Sequence, residues 1–293
     1  MTMKKLRAFG AGCILLLTVI LIGRYIASNP DIIAQLKSVN IAYVIVMLVL
    51  YAGILLSLTL VNTLSVKLNG KKIGFRESLG LTGTSSIANF FGPLQSGIGI
   101  RAVYFKTKLF IPVKRYVVVS LYYYGFYAFF SGIFLLFGSS RWRLPLFLLL
   151  IIGSAGTFWY IKRQTNKVRE LTLQPELFIK LAGTTFLQLV LTTALYGAEL
   201  LALGKSFHLS QLISYSGASN FSLFAAITPG AIGVREAFLV FSESLHHLSR
   251  ETIISANILD RGVYVVFLCL MFVVLLATHT RVKLKSLRKK EIS

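Results

Sequence analysis

Apolar residues run along this chain in long unbroken blocks, without the two-residue alternation of strands. Six blocks are continuous: residues 9–27, 41–64, 116–138, 144–161, 178–203 and 252–278. A helix needs about 20 residues to cross ~30 Å of hydrocarbon, so each block is predicted to be a full span, with 144–161 at the short end. The first block has no small-residue cleavage site and more spans follow it, so it reads as a retained helix and not a signal peptide. Two further segments, 78–110 and 211–242, are less uniform. Each opens with a run of small residues: Gly80, Gly83, Thr84, Ser85, Ser86 and Ala88 in one, Ser214, Ser216, Gly217, Ala218, Ser219 and Ser222 in the other. Such residues let helix backbones approach closely in lipid.

Both mixed segments then break at a proline and carry the same short element. The first reads Pro93-Leu94-Gln95-Ser96-Gly97-Ile98-Gly99-Ile100-Arg101, the second Pro229-Gly230-Ala231-Ile232-Gly233-Val234-Arg235-Glu236. Broken backbone inside a membrane is tolerated only where it is buried in protein or lines a cavity. Paired breaks in two halves of a chain point to a midplane binding site.

Charge decides whether the broken segments cross the membrane or enter and return. If both return, with the N-terminus inside, the cytoplasmic loops hold 23 Lys/Arg: three before the first span, four in 67–76, five in 101–115, five in 162–180 and six after 280. The outer side then holds seven, namely Arg24, Lys37, Arg141, Arg143, Lys205, Arg235 and Arg250. If both cross, the tally becomes 16 against 14. The positive-inside rule favours return. Three full spans separate the two re-entrant segments, which puts them on opposite faces. The expectation is therefore an all-α polytopic membrane protein of six full transmembrane helices plus two re-entrant segments. It forms one membrane domain over 1–293, an inverted repeat with halves at about 41–138 and 178–278. A basic cytoplasmic tail covers 281–293. The plasma membrane is the expected location, with both termini cytoplasmic.

Composition agrees with this picture and narrows it. Of 293 residues, 55% are hydrophobic and only 14% charged, with mean hydropathy +0.73. Soluble domains average about 25% charged. The net charge of +21 sits mostly in short loops, where orientation and anionic headgroups account for it, and no basic folded domain exists to hold nucleic acid. Cys13 and Cys269 lie in apolar spans and are packing residues. There is no phosphate-binding GxxxxGK[ST] loop, no Gly-x-Ser-x-Gly elbow and no HExxH, so no enzyme and no cofactor is expected. His246 and His247 are adjacent, but no further ligand pattern accompanies them, so no metal site is expected.

The candidate chemistry is anion binding. Helix N-termini offer unpaired N–H groups and partial positive charge. Glycine lets backbone approach a ligand, and arginine forks onto phosphate oxygens. Gly97, Gly99 and Arg101, with Pro229, Gly230, Gly233, Arg235 and Glu236, therefore form two candidate substrate-binding corners. The bland alternative is that the glycines allow the turns and the arginines satisfy carbonyls. Intramembrane charge is costly and usually functional, which favours binding. Arg235 belongs to the more regular motif and is the stronger candidate. Asp260 and Arg261 are adjacent and face different ways on a helix, so each needs a partner elsewhere. Asp260 either neutralises Arg235 or Arg101, or carries a proton; pairing is preferred for it and for Glu236, because buried charge must be compensated. Glu199, with Asp260 and Arg261, is a candidate for proton binding or charge pairing; it lies about one turn from the outer end of its span, where solvation is the simpler account. Asn89, Gln95, Gln188 and Asn220 read as interhelical glue. The block Leu121-Tyr122-Tyr123-Tyr124-Gly125-Phe126-Tyr127 reads as packing, with a cavity lining as the sharper alternative.

Asn89-Phe90-x-x-Pro93 with Gly97-Ile98-Gly99-Ile100-Arg101, and Thr228-Pro229-Gly230-x-x-Gly233-Val234-Arg235-Glu236, resemble the lysylphosphatidylglycerol synthase transmembrane-region family. That family includes the flippase half of the bacterial multiple peptide resistance factor. The similarity spans nearly the whole chain, and the second motif is the more specific; the first departs from Pro-Gly-x-x-Gly at Leu94 and Gln95. The resemblance implies a lipid translocase with two re-entrant helices, moving an anionic phospholipid or polyprenyl-phosphate-type lipid between leaflets. It does not imply lipid aminoacylation, which belongs to a separate soluble domain. The alternative is a membrane enzyme or accessory subunit that presents a lipid to a soluble transferase. The expected partners are lipids with anionic headgroups; a transferase and a second copy of the chain are the candidate protein partners.

Overall fold

The computed structural model describes residues 37–91, 96–137, 143–166, 174–223 and 234–290. The described residues form ten helices and no strand. They are α1 (Ile41–Leu68), α2 (Phe75–Phe91), α3 (Ser96–Lys108), α4 (Val113–Leu135), α5 (Arg143–Asn166), α6 (Pro175–Ala202), α7 (Leu209–Ser222), α8 (Val234–Phe241), α9 (Glu243–His246) and α10 (Arg250–Lys290). Among them, α1, α4, α6 and the Arg250–Ala277 part of α10 are long and apolar enough to cross a membrane. The chain is thus a multi-pass membrane protein. The expected span 144–161 lies in α5, where the apolar helix covers Phe147–Tyr160 among the described residues. The expected span 9–27 lies outside the described residues.

Helix ends fall where local chemistry puts them, beyond the apolar blocks. Asn40 caps α1, its side chain accepting from the Ala42 N–H at 3.0 Å, which satisfies one otherwise orphaned donor. Pro175 opens α6 at a position where its missing N–H costs nothing. Both helices end before a left-handed glycine, Gly70 at φ 69° and Gly204 at φ 67°, a backbone state in which a Cβ is strained. The tail from 281, set apart in the sequence reading, continues α10 to Lys290.

These elements come in two matching series. Moving 134 residues along the chain carries Ile41, Leu68, Gly70, Phe75 and Arg101 onto Pro175, Ala202, Gly204, Leu209 and Arg235. Past the arginines the offset is 137: Phe110 and His247 share φ 55°, and α4 and α10 start at Val113 and Arg250. The equivalent helices α1 and α6 pack antiparallel. The Asn40 N–H meets the Ala202 carbonyl at 3.2 Å, the Gly53 position abuts Leu191, and Leu64 and Leu68 cluster with Leu181.

Each broken segment is an antiparallel helical hairpin. In the first, Glu77 at the start of α2 accepts from the Tyr104 hydroxyl near the end of α3, while Asn89 Oδ1 accepts from the Gly97 N–H at 2.7 Å. In the second, Ser214 near the start of α7 reaches the Leu245 carbonyl at 3.1 Å, and Ser219 near its end meets Arg235. The small residues serve close packing. A Cβ at Gly217 would lie 2.7 Å from the Leu135 backbone nitrogen, on α4 of the first series. A Cβ at the equivalent Gly83 would lie 3.0 Å from Met271 Sδ, on α10 of the second. Each hairpin therefore docks on the last long helix of the opposite series.

Candidate functional site

A cavity of about 480 Å³ opens between the two hairpins, α1, α4, α6 and α10. Among the described residues its wall holds three guanidinium groups, Arg101, Arg235 and Arg261, and one carboxylate, Asp260. Around them stand Tyr51, Tyr123, Tyr124, Tyr127, Tyr196 and Tyr264, with the amide side chains Asn89, Gln188 and Asn220. The aromatic block of α4 thus lines a cavity. Three of its tyrosines face inward, while Tyr122 packs on Phe178. Their hydroxyls find partners: Tyr123 donates to Gln188 Oε1 at 3.0 Å and Tyr127 to Asn220 Oδ1 at 2.7 Å. The amides are at once interhelical ties and wall. Gln95 lies outside the described residues.

The two arginines occupy equivalent places but differ in company. Arg235 is held on every side but one. Nη1 donates to Asp260 Oδ2 at 2.7 Å, Nε donates to Ser219 Oγ at 2.9 Å, and the guanidinium lies 5.0 Å from the Tyr196 ring centre. Tyr51, from α1, donates its hydroxyl to the other Asp260 oxygen. Asp260 therefore pairs with Arg235 and not with Arg101. Arg101 has no ion pair among the described residues. It donates from Nη1 to Asn62 Oδ1 at 3.3 Å and from Nε back to the Gly97 carbonyl at 3.4 Å. Asn62 is held in turn by Thr82 at 2.8 Å.

The repeat explains the difference. Offsets of 134 and 137 place Asn62 opposite Tyr196, Ser85 opposite Ser219 and Tyr123 opposite Asp260. Arg101 thus has a tyrosine where Arg235 has its counter-ion. Both arginines are only 8% exposed, and a buried cation demands compensation, which no carboxylate among the described residues supplies at Arg101. Among the described residues three cations and one anion surround the cavity, a balance that attracts an anion, and the planar guanidinium suits two phosphate or carboxylate oxygens at once.

The glycines differ from the expectation. Gly97 is buried and Gly99 exposed, and neither lines the cavity. Gly97 is needed because a Cβ there would sit 2.2 Å from the Ser85 carbonyl oxygen; it closes the hairpin. Ile98 and Arg101, one turn apart on the same helix face, are the residues of that motif which reach the wall. Pro229, Gly230 and Gly233 lie outside the described residues, as does the side chain of Glu236. Glu199 is not solvated but fully buried, because helices of the second series cover that end of α6. Tyr51, Asn62 and Tyr196 do not stand out in the sequence, and Ser219 does so only as part of a small-residue run. Comparing the chain with itself at the repeat offset is the signal that finds Asn62 and Tyr196, each beneath one arginine.

Among the described residues no group of three or more His, Cys, Asp or Glu side chains is placed to hold a metal ion. Residues 8–271 match the family described as the lysylphosphatidylglycerol synthase TM region. No curated protein matches the chain.

Proposed function

The chain belongs to the lysylphosphatidylglycerol synthase TM region family, a membrane protein with a lipid-related function, and from that premise we propose that it translocates a lipid with an anionic headgroup between leaflets. The observation that carries the proposal is Arg101: a buried guanidinium on a cavity wall, with no carboxylate partner among the described residues. The headgroup anion takes the place that Asp260 fills at Arg235. The acyl chains stay in the bilayer, and the apolar part of the wall (Ile54, Leu55, Leu58, Leu195) lies beside them.

On this reading each hairpin enters and leaves by one face of the membrane, and the two hairpins do so from opposite faces. The antiparallel contacts within each hairpin, the antiparallel pairing of α1 with α6 and the lysine and arginine distribution support it. Both termini are then cytoplasmic, the membrane is the plasma membrane, and the chain acts as a transporter and not as an enzyme. At Arg101 an anion enters without displacing a carboxylate of the described residues. At Arg235 it must displace Asp260. Passage from one arginine to the other therefore moves a headgroup between two inequivalent sites.

The test is leaflet exchange in vesicles. Purified protein is reconstituted with a fluorescent phosphatidylglycerol, and separately with a fluorescent phosphatidylcholine. Accelerated exchange of the anionic lipid over protein-free vesicles, with less effect on the zwitterionic one, supports the proposal. No acceleration of either lipid overturns it and leaves presentation of a lipid to a soluble transferase as the better account.

A further inference from the structure

Glu199 of α6 has no exposed surface, and neither of its carboxyl oxygens has a hydrogen-bond partner among the described residues. Charged groups on two other helices act on it: Arg235 on α8, and Asp260 and Arg261 on α10. The ionisable hydroxyls of Tyr51 on α1, Tyr215 on α7 and Tyr196 on its own helix sense its charge as well. On α4, Tyr127 faces Tyr196.

Arg235 is the cation shared by both carboxyls, and Asp260 already holds its Nη1. Its Nη2 is buried and has no partner among the described residues. An unpaired guanidinium N–H and an unpaired carboxyl thus lie in one electrostatic neighbourhood. An ionised carboxylate sealed from water without a partner is so unfavourable that such a group takes a proton instead. The equivalent residue in the first series is Ser65, whose hydroxyl is satisfied by the Val61 carbonyl at 2.7 Å. The feature therefore belongs to one half of the repeat alone.

We propose that Glu199 is a proton-binding site that sets the charge of the headgroup cavity. With the proton on, Arg235 answers only to Asp260, the Glu199–Arg235–Asp260 cluster is neutral, and the cavity wall keeps its positive excess. With the proton released to solvent, the Glu199 carboxylate takes Arg235 Nη2, the cluster gains one negative charge, and an incoming anion is disfavoured. Linkage makes the effect reciprocal: headgroup binding strengthens proton binding at Glu199. The inference rests on reading the cavity as a headgroup site.

Two measurements test it. The first is exchange of fluorescent phosphatidylglycerol in vesicles from pH 5.5 to 8.5 for wild type and Glu199→Gln, a neutral stand-in for the protonated acid. The wild-type rate should fall as pH rises, by up to about tenfold per pH unit for one linked proton, while Glu199→Gln keeps the fast rate throughout. Equal pH profiles for the two proteins, or a flat wild-type profile, overturn the proposal. The second is the infrared spectrum of the wild-type protein, which needs neither transport nor a folded variant. A protonated-carboxyl band at pH 7 that vanishes on alkalinisation is expected; its absence at pH 7 overturns the proposal. If the wild type moves no lipid at any pH, the transport reading fails, and the infrared band still decides the state of Glu199.

Discussion

Asp260→Asn removes the one carboxylate that compensates Arg235. The partners are 5% and 8% exposed and meet at 2.7 Å. With charge centres about 4 Å apart and an effective dielectric of about 20, the lost attraction is about 4 kcal/mol. Asparagine can still accept from Tyr51, but its amide N–H₂ opposes the guanidinium N–H groups. Arg235 Nη2 already lacks a partner among the described residues, and the nearby Glu199 can compensate only by giving up its proton, so the loss is absorbed in part at most. The expected destabilisation is about 3–5 kcal/mol, the usual cost of leaving one member of a buried pair alone. For a chain of this size that corresponds to a fall in melting temperature on the order of 10 °C. Thermal unfolding of the detergent-purified protein reads it directly. Arg235→Gln alone should also destabilise, whereas the double variant Asp260→Asn with Arg235→Gln should recover most of the loss, since no charge is left unpaired. An Asp260→Asn protein that melts with the wild type, or a double variant worse than both singles, refutes the pairing as the reason Asp260 is present.

Three further outcomes are expected. Gly97→Ala should lower the melting temperature markedly, because its Cβ would lie 2.2 Å from the Ser85 carbonyl oxygen, whereas Gly99→Ala, with nothing within 4 Å, should be tolerated; equal effects would contradict the hairpin packing. Burial pushes the His246 imidazole down to about 4, with Nδ1 accepting from the Leu248 N–H at 3.2 Å. Its folded value is below the unfolded one, so this stability is present above about pH 6.5 and lost as pH falls toward 4, at most about 3 kcal/mol; melting curves at pH 7.5 and 4.5 should show a drop that shrinks in His246→Gln, and the same drop in both proteins would sink the assignment. A cysteine at Lys108 should resist a membrane-impermeant thiol reagent in intact cells and one at Lys205 should react; the reverse pattern would overturn the proposed orientation.

The long apolar helices were legible because lipid and a buried interior demand the same thing of a helix surface, so hydropathy alone locates them. Their ends were less so. α6 begins at Pro175 and α10 runs to Lys290 because capping and helix propagation, not hydropathy, set those limits. The small-residue runs announced close packing, and Gly83 and Gly217 do pack against neighbouring helices. The site was half legible. Arg101, Arg235 and Asp260 were visible as charges in apolar settings, but which arginine Asp260 meets depends on how α8 and α10 pack, and spacing along the chain carries no such information. The more regular motif turns out to hold the arginine that Asp260 compensates. The solvation account of Glu199 fails because distance from a span end stands for solvent access only when nothing packs over that end, whereas its place among the proton or charge-pairing candidates is compatible with its burial. Gly97 and Gly99 were assigned to the ligand on the strength of their motif, yet helix rotation turns Ile98 and Arg101 to the cavity and both glycines away from it.

Arg101 carries the central claim, and one comparison tests it most directly. Wild type, Arg101→Lys and Arg235→Lys are reconstituted in vesicles, and leaflet exchange of fluorescent phosphatidylglycerol is recorded beside thermal stability. Lysine keeps the charge but loses the two-pronged grip on an oxyanion. Arg101→Lys is expected to slow exchange about tenfold or more while melting with the wild type, on the order of one lost charge-assisted hydrogen bond; Arg235→Lys is expected to lose stability first. Normal exchange by a stable Arg101→Lys protein would contradict the claim that this arginine receives the headgroup.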